Sequence, residues 1–124
     1  MRCQALGDRG GQGAVIDPAL ALSIEVVEDG DERVVVRVGG EVDTATGASL
    51  QRELLAIVRV RPRHLGLDLS AVDFLDSSGL RALLVVQQAV ASRGRQVQVV
   101  ASTPMIDRLL EITGLGALFP HDET

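Results

Sequence analysis

A chain of 124 residues, 46% of them apolar, fits one globular domain with a single core and is too short for two. The net charge is −5, and the sequence contains two Phe but neither Trp nor Tyr. Because such a chain offers neither a basic phosphate-binding face nor aromatic stacking platforms, we do not expect nucleic acid as a partner.

The cellular compartment is indicated by what the sequence lacks. No stretch approaches the roughly 18 apolar residues of a membrane span, and residues 1–15 have no apolar signal-peptide core. The single cysteine, Cys3, cannot form an internal disulfide. These features suit a reducing cytoplasm and predict a cytoplasmic protein without direct membrane insertion.

The first segment is rich in glycine. Its GDRGGQG stretch, residues 7–13, resembles a phosphate-binding loop in composition, but no strand precedes it and no Gly-Lys-Ser/Thr follows it. We therefore expect residues 1–18 to form a flexible N-terminal extension and residues 19–121 to form the domain.

Two strands are predicted next. Residues 22–27 alternate between apolar and polar side chains, and residues 33–38 are mainly β-branched. Between them an Asp-Gly pair, Asp29-Gly30, is typical of a tight turn. The pattern predicts an antiparallel hairpin whose second strand is closed by residues 39–43.

A first helix is predicted by apolar residues at helical spacing, with an end before Pro62. These apolar residues are Leu50, Leu54, Ile57 and Val58. A strand then begins at Leu65 and continues toward Leu75, and a second helix follows with Gly94 as its C-terminal cap.

The remaining segment predicts a strand over residues 96–101 and a third helix. Thr103 is the expected N-cap of that helix, Pro104 its first residue and Gly114 its end. Residues 117–120 are expected to add a short last strand. The alternation of strands and helices predicts an α/β domain with a mixed, mostly parallel sheet, right-handed crossovers and an N-terminal β-hairpin.

The junction Asp76-Ser77-Ser78-Gly79 separates the period of a strand from the period of a helix. One interpretation is a helix cap, in which Asp and Ser accept hydrogen bonds from free N–H groups. A phosphate on a serine there would meet the positive end of the helix dipole and add about two negative charges to the surface. Carboxylates at Asp43, Asp73 and Asp76 would intensify that change.

A hydrolase is not expected from this junction. A nucleophile elbow requires small residues two places on each side of the serine, but Leu75 precedes Ser77 and Leu80 follows Ser78 at those places. No base that would activate a serine is apparent, since the two histidines precede a strand and lie near the end of the sequence: His64 and His121.

A metal site is not expected either. Four carboxylates are candidates for a cluster, but no His or Cys joins them and no calcium-loop spacing is present. The four are Asp43, Asp68, Asp73 and Asp76.

Residues 68–80, DLSAVDFLDSSGL, resemble the signature of STAS-domain anti-sigma-factor antagonists, which are bacterial sporulation and stress-response regulators. Residues 40–43, GEVD, are similar to that family's second motif, which closes the second strand. The two motifs are specific when joined at this spacing, and the resemblance covers about residues 20 to 120.

The resemblance implies a phosphorylation switch. Ser77 would be phosphorylated by a partner that is both serine kinase and anti-sigma factor. The unphosphorylated chain would bind that partner and free a sigma factor, phosphorylation would break the complex, and a phosphatase would restore it. The residues implied to surround Ser77 at this surface are Glu41, Asp43, Thr44, Asp76, Ser78 and Gly79.

The resemblance also implies that ATP and magnesium belong to the kinase, so we expect this chain to need no cofactor and to be no enzyme. One alternative keeps the fold and changes the role. STAS-like domains also serve as accessory subunits of membrane transport systems or as scaffolds of signalling complexes.

Overall fold

The computed structural model describes residues 15–17 and 22–121. The strands are β1 (Val15–Asp17), β2 (Leu22–Asp29), β3 (Arg33–Val42), β4 (His64–Leu75) and β5 (Val97–Ala101). The helices are α1 (Thr44–Arg59), α2 (Ser77–Ala91) and α3 (Pro104–Thr113), followed by a 3₁₀ turn at Gly116–Leu118.

The described strands form one five-stranded sheet in the order β1-β2-β3-β4-β5. The pairs β1–β2 and β2–β3 are antiparallel, whereas β3–β4 and β4–β5 are parallel. The predicted mixed α/β architecture is therefore confirmed. Strand β1 was not predicted and lies within the expected N-terminal extension, the rest of which, residues 1–14 and 18, falls outside the described residues.

The predicted hairpin is confirmed by strands β2 and β3. They are joined by the short turn at residues 30–32, in which the amide of Gly30 donates to the carbonyl of Arg33 at 2.9 Å. The pairing shifts register between Val26 and Glu28. Strand β3 also pairs with β4 in parallel, so the carboxyl ends of β3 and β4 lie beside each other.

The core occupies one face of the sheet and receives side chains from all three helices. Alternating residues of β3, β4 and β5 supply the sheet side: Val34, Val36, Val38, Leu65, Leu67, Leu69, Val97 and Val99. The helices supply Leu50, Leu54, Val58, Leu80, Leu83, Val86, Val90, Ile106 and Leu110. Burial of these aliphatic groups is the main favourable term for folding.

Strand β4 departs from simple alternation in its second half. Leu69, Val72 and Leu75 are all buried although they are three residues apart. The pairing of β4 with β3 shifts register twice along this stretch, which changes the face to which each side chain points. As a result, Phe74 is turned outward and is 47% exposed.

The helix ends follow local capping chemistry. Thr103 accepts a hydrogen bond from the amide of Ile106 at 3.3 Å, Pro104 is the first residue of α3, and Gly114 has φ of 74°, so the three predictions for this helix are confirmed. In α2 the C-cap is Ser92, so the prediction of Gly94 as the cap is wrong by two residues; Gly94, with φ of 76°, lies further along the turn.

The prediction of a last strand over residues 117–120 is wrong. The chain forms the 3₁₀ turn there, buries Phe119 and makes a single parallel bridge between His121 and Val99. The carbonyl of Pro120 accepts from the amide of Val99 at 2.8 Å. Since proline has no N–H to donate, it cannot continue a ladder along β5.

Candidate functional site

The carboxyl ends of β3 and β4 lie side by side, because Val42 pairs with Leu75 in the parallel register. Helix α1 follows β3 and helix α2 follows β4, so both helices begin at this end of the sheet. We call the surface formed by residues 41–46 and 73–79 the carboxyl edge. It contains each residue that the sequence analysis placed around Ser77.

The start of α1 is held by Asp43. Its carboxylate accepts from the amides of Ala45 (2.9 Å) and Thr46 (3.2 Å), while the hydroxyl of Thr46 accepts from the amide of Asp43 (2.9 Å) and donates to the carbonyl of Glu41 (2.8 Å). This is a reciprocal capping box with Thr at the third helical position. The sequence analysis missed the role of the buried Thr46, although its spacing from Asp43 carries the signal.

The start of α2 is held by Asp76. Its carboxylate accepts from the amides of Ser78 (2.9 Å) and Gly79 (3.2 Å), which confirms the predicted helix cap. The amide of Asp76 donates to the carbonyl of Val42 at 3.1 Å. This bond joins the two capping loops directly, so the starts of α1 and α2 are fixed relative to each other.

Two glycines allow this close approach. A Cβ atom added to Gly47 would lie 3.2 Å from the carbonyl oxygen of Ser78. A Cβ atom added to Gly79 would lie 2.4 Å from Cδ1 of Leu75 and 2.8 Å from Cγ1 of Val42, both of which are buried. The first turns of the two helices therefore pack against each other and against the ends of the two strands.

The two serines of the junction have different surroundings. Ser77, the first residue of α2, is exposed. Ser78 is half-buried, and its hydroxyl lies 3.3 Å from the hydroxyl of Thr44 across the gap between the helices. A partner protein can therefore reach Ser77 more readily than Ser78.

The charge of the carboxyl edge comes from four acidic residues. Glu41 and Asp73 are exposed, and the capping residues Asp43 and Asp76 are half-buried. Asp68, the fourth carboxylate considered above for a metal site, lies outside the carboxyl edge. It is in the middle of β4, where it forms an ion pair with Arg37 at 3.3 Å. Across residues 15–17 and 22–121, no three His, Cys, Asp or Glu side chains form a group that could hold a metal ion.

The environment of Asp68 explains the direction of its pKa. Partial burial raises the pKa, but hydrogen bonds from the hydroxyl and amide of Ser70 and the bond and charge of Arg37 outweigh it. The net result is a pKa below the ordinary value of an aspartate. This carboxylate therefore stays ionised and belongs to the sheet surface.

The two histidines do not form a catalytic relay with Ser77. His64 is at the opposite end of β4, about 36 Å from Leu75 at the rise of an extended strand, and its Nδ1 accepts from the amide of Gln96 at 3.0 Å. His121 contacts Asp107 through Nε2 at 3.0 Å, and the hydroxyl of Ser102 donates to the same carboxylate oxygen at 2.5 Å. The hydroxyl of Ser102 is also 3.5 Å from Nε2 of His121. In a catalytic triad the serine and the carboxylate contact opposite nitrogens of the histidine ring, whereas here Ser102 and Asp107 both contact Nε2.

A groove opens between the end of β4 and α3, and it shares Phe74 and Leu75 with the carboxyl edge. Its volume is about 330 Å³, and its walls are Phe74, Leu75, Met105, Arg108, Leu109 and Ile112. Ile112 is 67% exposed. The sequence analysis missed this groove; the outward aromatic Phe74 beside the DSSG run was the available signal.

None of the helices in the described part of the chain is both long and apolar enough to cross a membrane. The family model for the STAS domain matches residues 23–124. Over 95 residues the chain is 35% identical to the anti-sigma-F factor antagonist RsfB of Mycobacterium tuberculosis, which covers 75% of this chain and 75% of the relative.

Solved structures show the same architecture. An anti-sigma factor antagonist from Mycobacterium paratuberculosis superimposes with a TM-score of 0.73 at 35% identity, covering 88% of this chain and 92% of that one. The Bacillus cell fate determinant SpoIIAA in its phosphorylated form superimposes with a TM-score of 0.63 at 17% identity, covering 81% and 91%. The second likeness is one of fold alone.

Proposed function

Since this chain belongs to the STAS-domain family, and the two proteins described above that are 35% identical to it are named anti-sigma factor antagonists, we propose that it is itself such an antagonist, switched by phosphorylation of Ser77. Unmodified, it binds an anti-sigma factor with serine kinase activity and so releases a sigma factor. Phosphorylation of Ser77 by that partner ends the complex, and a phosphoserine phosphatase reverses the change. The chain is a cytoplasmic binding protein without catalytic activity of its own, and ATP and magnesium are bound by the kinase.

The observation that carries this proposal is the exposure of Ser77 at a rigid helix start. The hydroxyl of Ser78 lies 3.3 Å from the hydroxyl of Thr44, and the backbone and Cβ of Ser78 pack against Gly47. Ser77 is the first residue of the same helix and is exposed. A kinase can therefore bind this residue without opening the fold.

A phosphate on Ser77 is compatible with the fold. Asp76 already accepts from the amides of Ser78 and Gly79, so the helix start does not depend on the Ser77 hydroxyl. The positive end of the α2 dipole favours a negative group at this position. Modification would therefore leave the backbone unchanged and alter only the surface.

The surface change is large enough to act as a switch. About two negative charges would be added to an edge that already carries Glu41, Asp43, Asp73 and Asp76. Burying an ill-matched phosphate in an interface costs roughly 3 kcal/mol or more. At about 1.4 kcal/mol per tenfold change, the partner's affinity would fall on the order of a hundredfold.

The test is to locate the phosphate. The purified chain is incubated with its anti-sigma factor kinase, ATP and magnesium, and the modified residue is mapped by mass spectrometry. We expect phosphate on Ser77 and none in Ser77→Ala, whereas the control Ser78→Ala is still modified. Undiminished modification of Ser77→Ala would overturn the assignment of the acceptor.

A further inference from the structure

We propose that the groove between β4 and α3 is a second contact for the same anti-sigma factor, holding an aliphatic side chain of the partner with a carboxylate beside it. This inference rests on the proposed function. It adds a contact in the groove that contributes to the affinity for the anti-sigma factor, whereas Ser77 switches the binding on and off.

The groove has the surface of a binding site. Phe74 and Ile112 are 47% and 67% exposed, and both border the same concavity of about 330 Å³. Its floor is firm, because Met105 and Leu109 pack against the core and Leu75 is buried. A contiguous apolar concavity next to a polar edge is typical of a protein interface, where a few apolar anchors carry most of the binding free energy.

The position of the groove makes the anti-sigma factor its occupant. Phe74 is three residues before Ser77, so their Cα atoms are at most about 11 Å apart. A stable interface covers roughly 800 Å² on each partner, equivalent to a disc with a radius of about 16 Å. An interface centred on Ser77 therefore reaches the groove, and a partner that left it empty would leave exposed apolar surface uncovered.

The charge of the groove defines the chemistry of the occupant. Arg108 is exposed in its wall, next to a carboxyl edge that is otherwise acidic. An aliphatic side chain matches Leu109 and Ile112, and an adjacent carboxylate matches the Arg108 guanidinium. The complementary partner surface is thus apolar and acidic at the groove and avoids further negative charge at Ser77.

The groove and Ser77 are expected to act independently. Charges at the surface are largely screened beyond about 8 Å at physiological salt, and the groove residue Ile112 belongs to α3 and lies outside the carboxyl edge. A phosphate on Ser77 thus acts at the carboxyl edge and leaves the apolar contact intact. A substitution in the groove and a substitution at Ser77 should therefore change the dissociation constant by factors that multiply when the two are combined.

The experiment compares two exposed apolar residues at helix C-termini, Ile112 in the groove and Val60 at the end of α1. Val60 is 77% exposed and lies about 24 Å along α1 from the carboxyl edge. The probe is a purified serine-kinase anti-sigma factor of the source organism that binds the wild-type chain. Its dissociation constant is measured by calorimetry with ADP, for Ile112→Asp and Val60→Asp in the wild-type and Ser77→Asp backgrounds.

We expect Ile112→Asp to weaken binding at least tenfold in both backgrounds and Val60→Asp to weaken it less than twofold. Arg108→Gln should weaken binding severalfold and reduce its dependence on salt. Equal affinity of the Ile112 and Val60 variants, with Ser77→Asp still losing binding, would overturn the groove contact and leave the proposed function standing. If no serine-kinase anti-sigma factor binds the wild-type chain, both proposals are wrong.

Discussion

At the beginning of β4 the polar side chains are tied into the fold, whereas beyond its end Ser77 projects from the surface. Arg63 is 7% exposed and donates to the carboxylate of Asp29 and to the carbonyl of Gly30. Next to it, His64 accepts from the amide of Gln96. At the carboxyl edge, the capping carboxylates hold the backbone while Ser77 is left exposed.

The comparison indicates a division of roles along one strand. The first end joins the β2–β3 turn to the strand that follows α1, since Arg63 connects segments more than thirty residues apart. The carboxyl edge is rigid in its backbone but keeps an accessible hydroxyl on a helix start. Substitution of the tied side chains at the first end should therefore change stability, and substitution of the exposed Ser77 at the carboxyl edge should change binding.

The largest effect on stability is expected from Arg63→Ala. Truncation removes the hydrogen bonds of the guanidinium to Asp29 and to the carbonyl of Gly30 and leaves the buried site of the side chain unfilled, so we expect a loss of about 3 kcal/mol. Urea denaturation measures the loss. The control Arg61→Ala removes an ion pair between exposed side chains and should cost below about 1 kcal/mol. If both variants lost the same free energy of unfolding, the buried contacts of Arg63 would not stabilise this end of β4.

An intermediate effect is expected from Gly79→Ala, which tests whether the carboxyl edge is rigid. The added methyl group would overlap Leu75 and Val42, so we expect a loss of about 2 kcal/mol. Gly116→Ala is the control, because a Cβ there meets nothing within 4 Å. If thermal denaturation gave the two variants equal midpoints, the packing between the helix starts would be loose.

The smallest effect is expected in the middle of β4, from Asp68→Asn. The pKa of Asp68 is below its ordinary value, so its ionised form contributes stability above the unfolded-state pKa that is lost as pH falls through the folded-state pKa. Wild type should therefore lose more stability between pH 5 and pH 3 than the variant, by less than about 1 kcal/mol. Identical pH profiles would show that Arg37 and Ser70 do not favour the carboxylate.

The sequence was sufficient where local chemistry decides the structure. The Asp-Gly turn, the Thr103-Pro104 helix start and the cap at Asp76 each depend on a few neighbouring residues, and all three are present. The last strand was mispredicted because burial of Phe119 and the missing N–H of Pro120 outweigh the apolar composition of residues 117–120.

The groove could not be predicted because it joins residues far apart in sequence. Leu109 and Ile112 fit the apolar stripe of a helix, and only the register shifts in β4 turn Phe74 outward beside them. The family resemblance indicated Ser77 as the phosphorylated residue. That Ser77 is exposed while Ser78 contacts Thr44 could be seen only from the packing of α1 against α2.

The central claim is that one phosphate on Ser77 controls binding. The most direct measurement compares the affinity of the anti-sigma factor for the unmodified chain and for the same chain phosphorylated stoichiometrically on Ser77. We predict that phosphorylation weakens binding on the order of a hundredfold without changing the melting temperature by more than a few degrees. Equal affinity of the two forms would contradict the account.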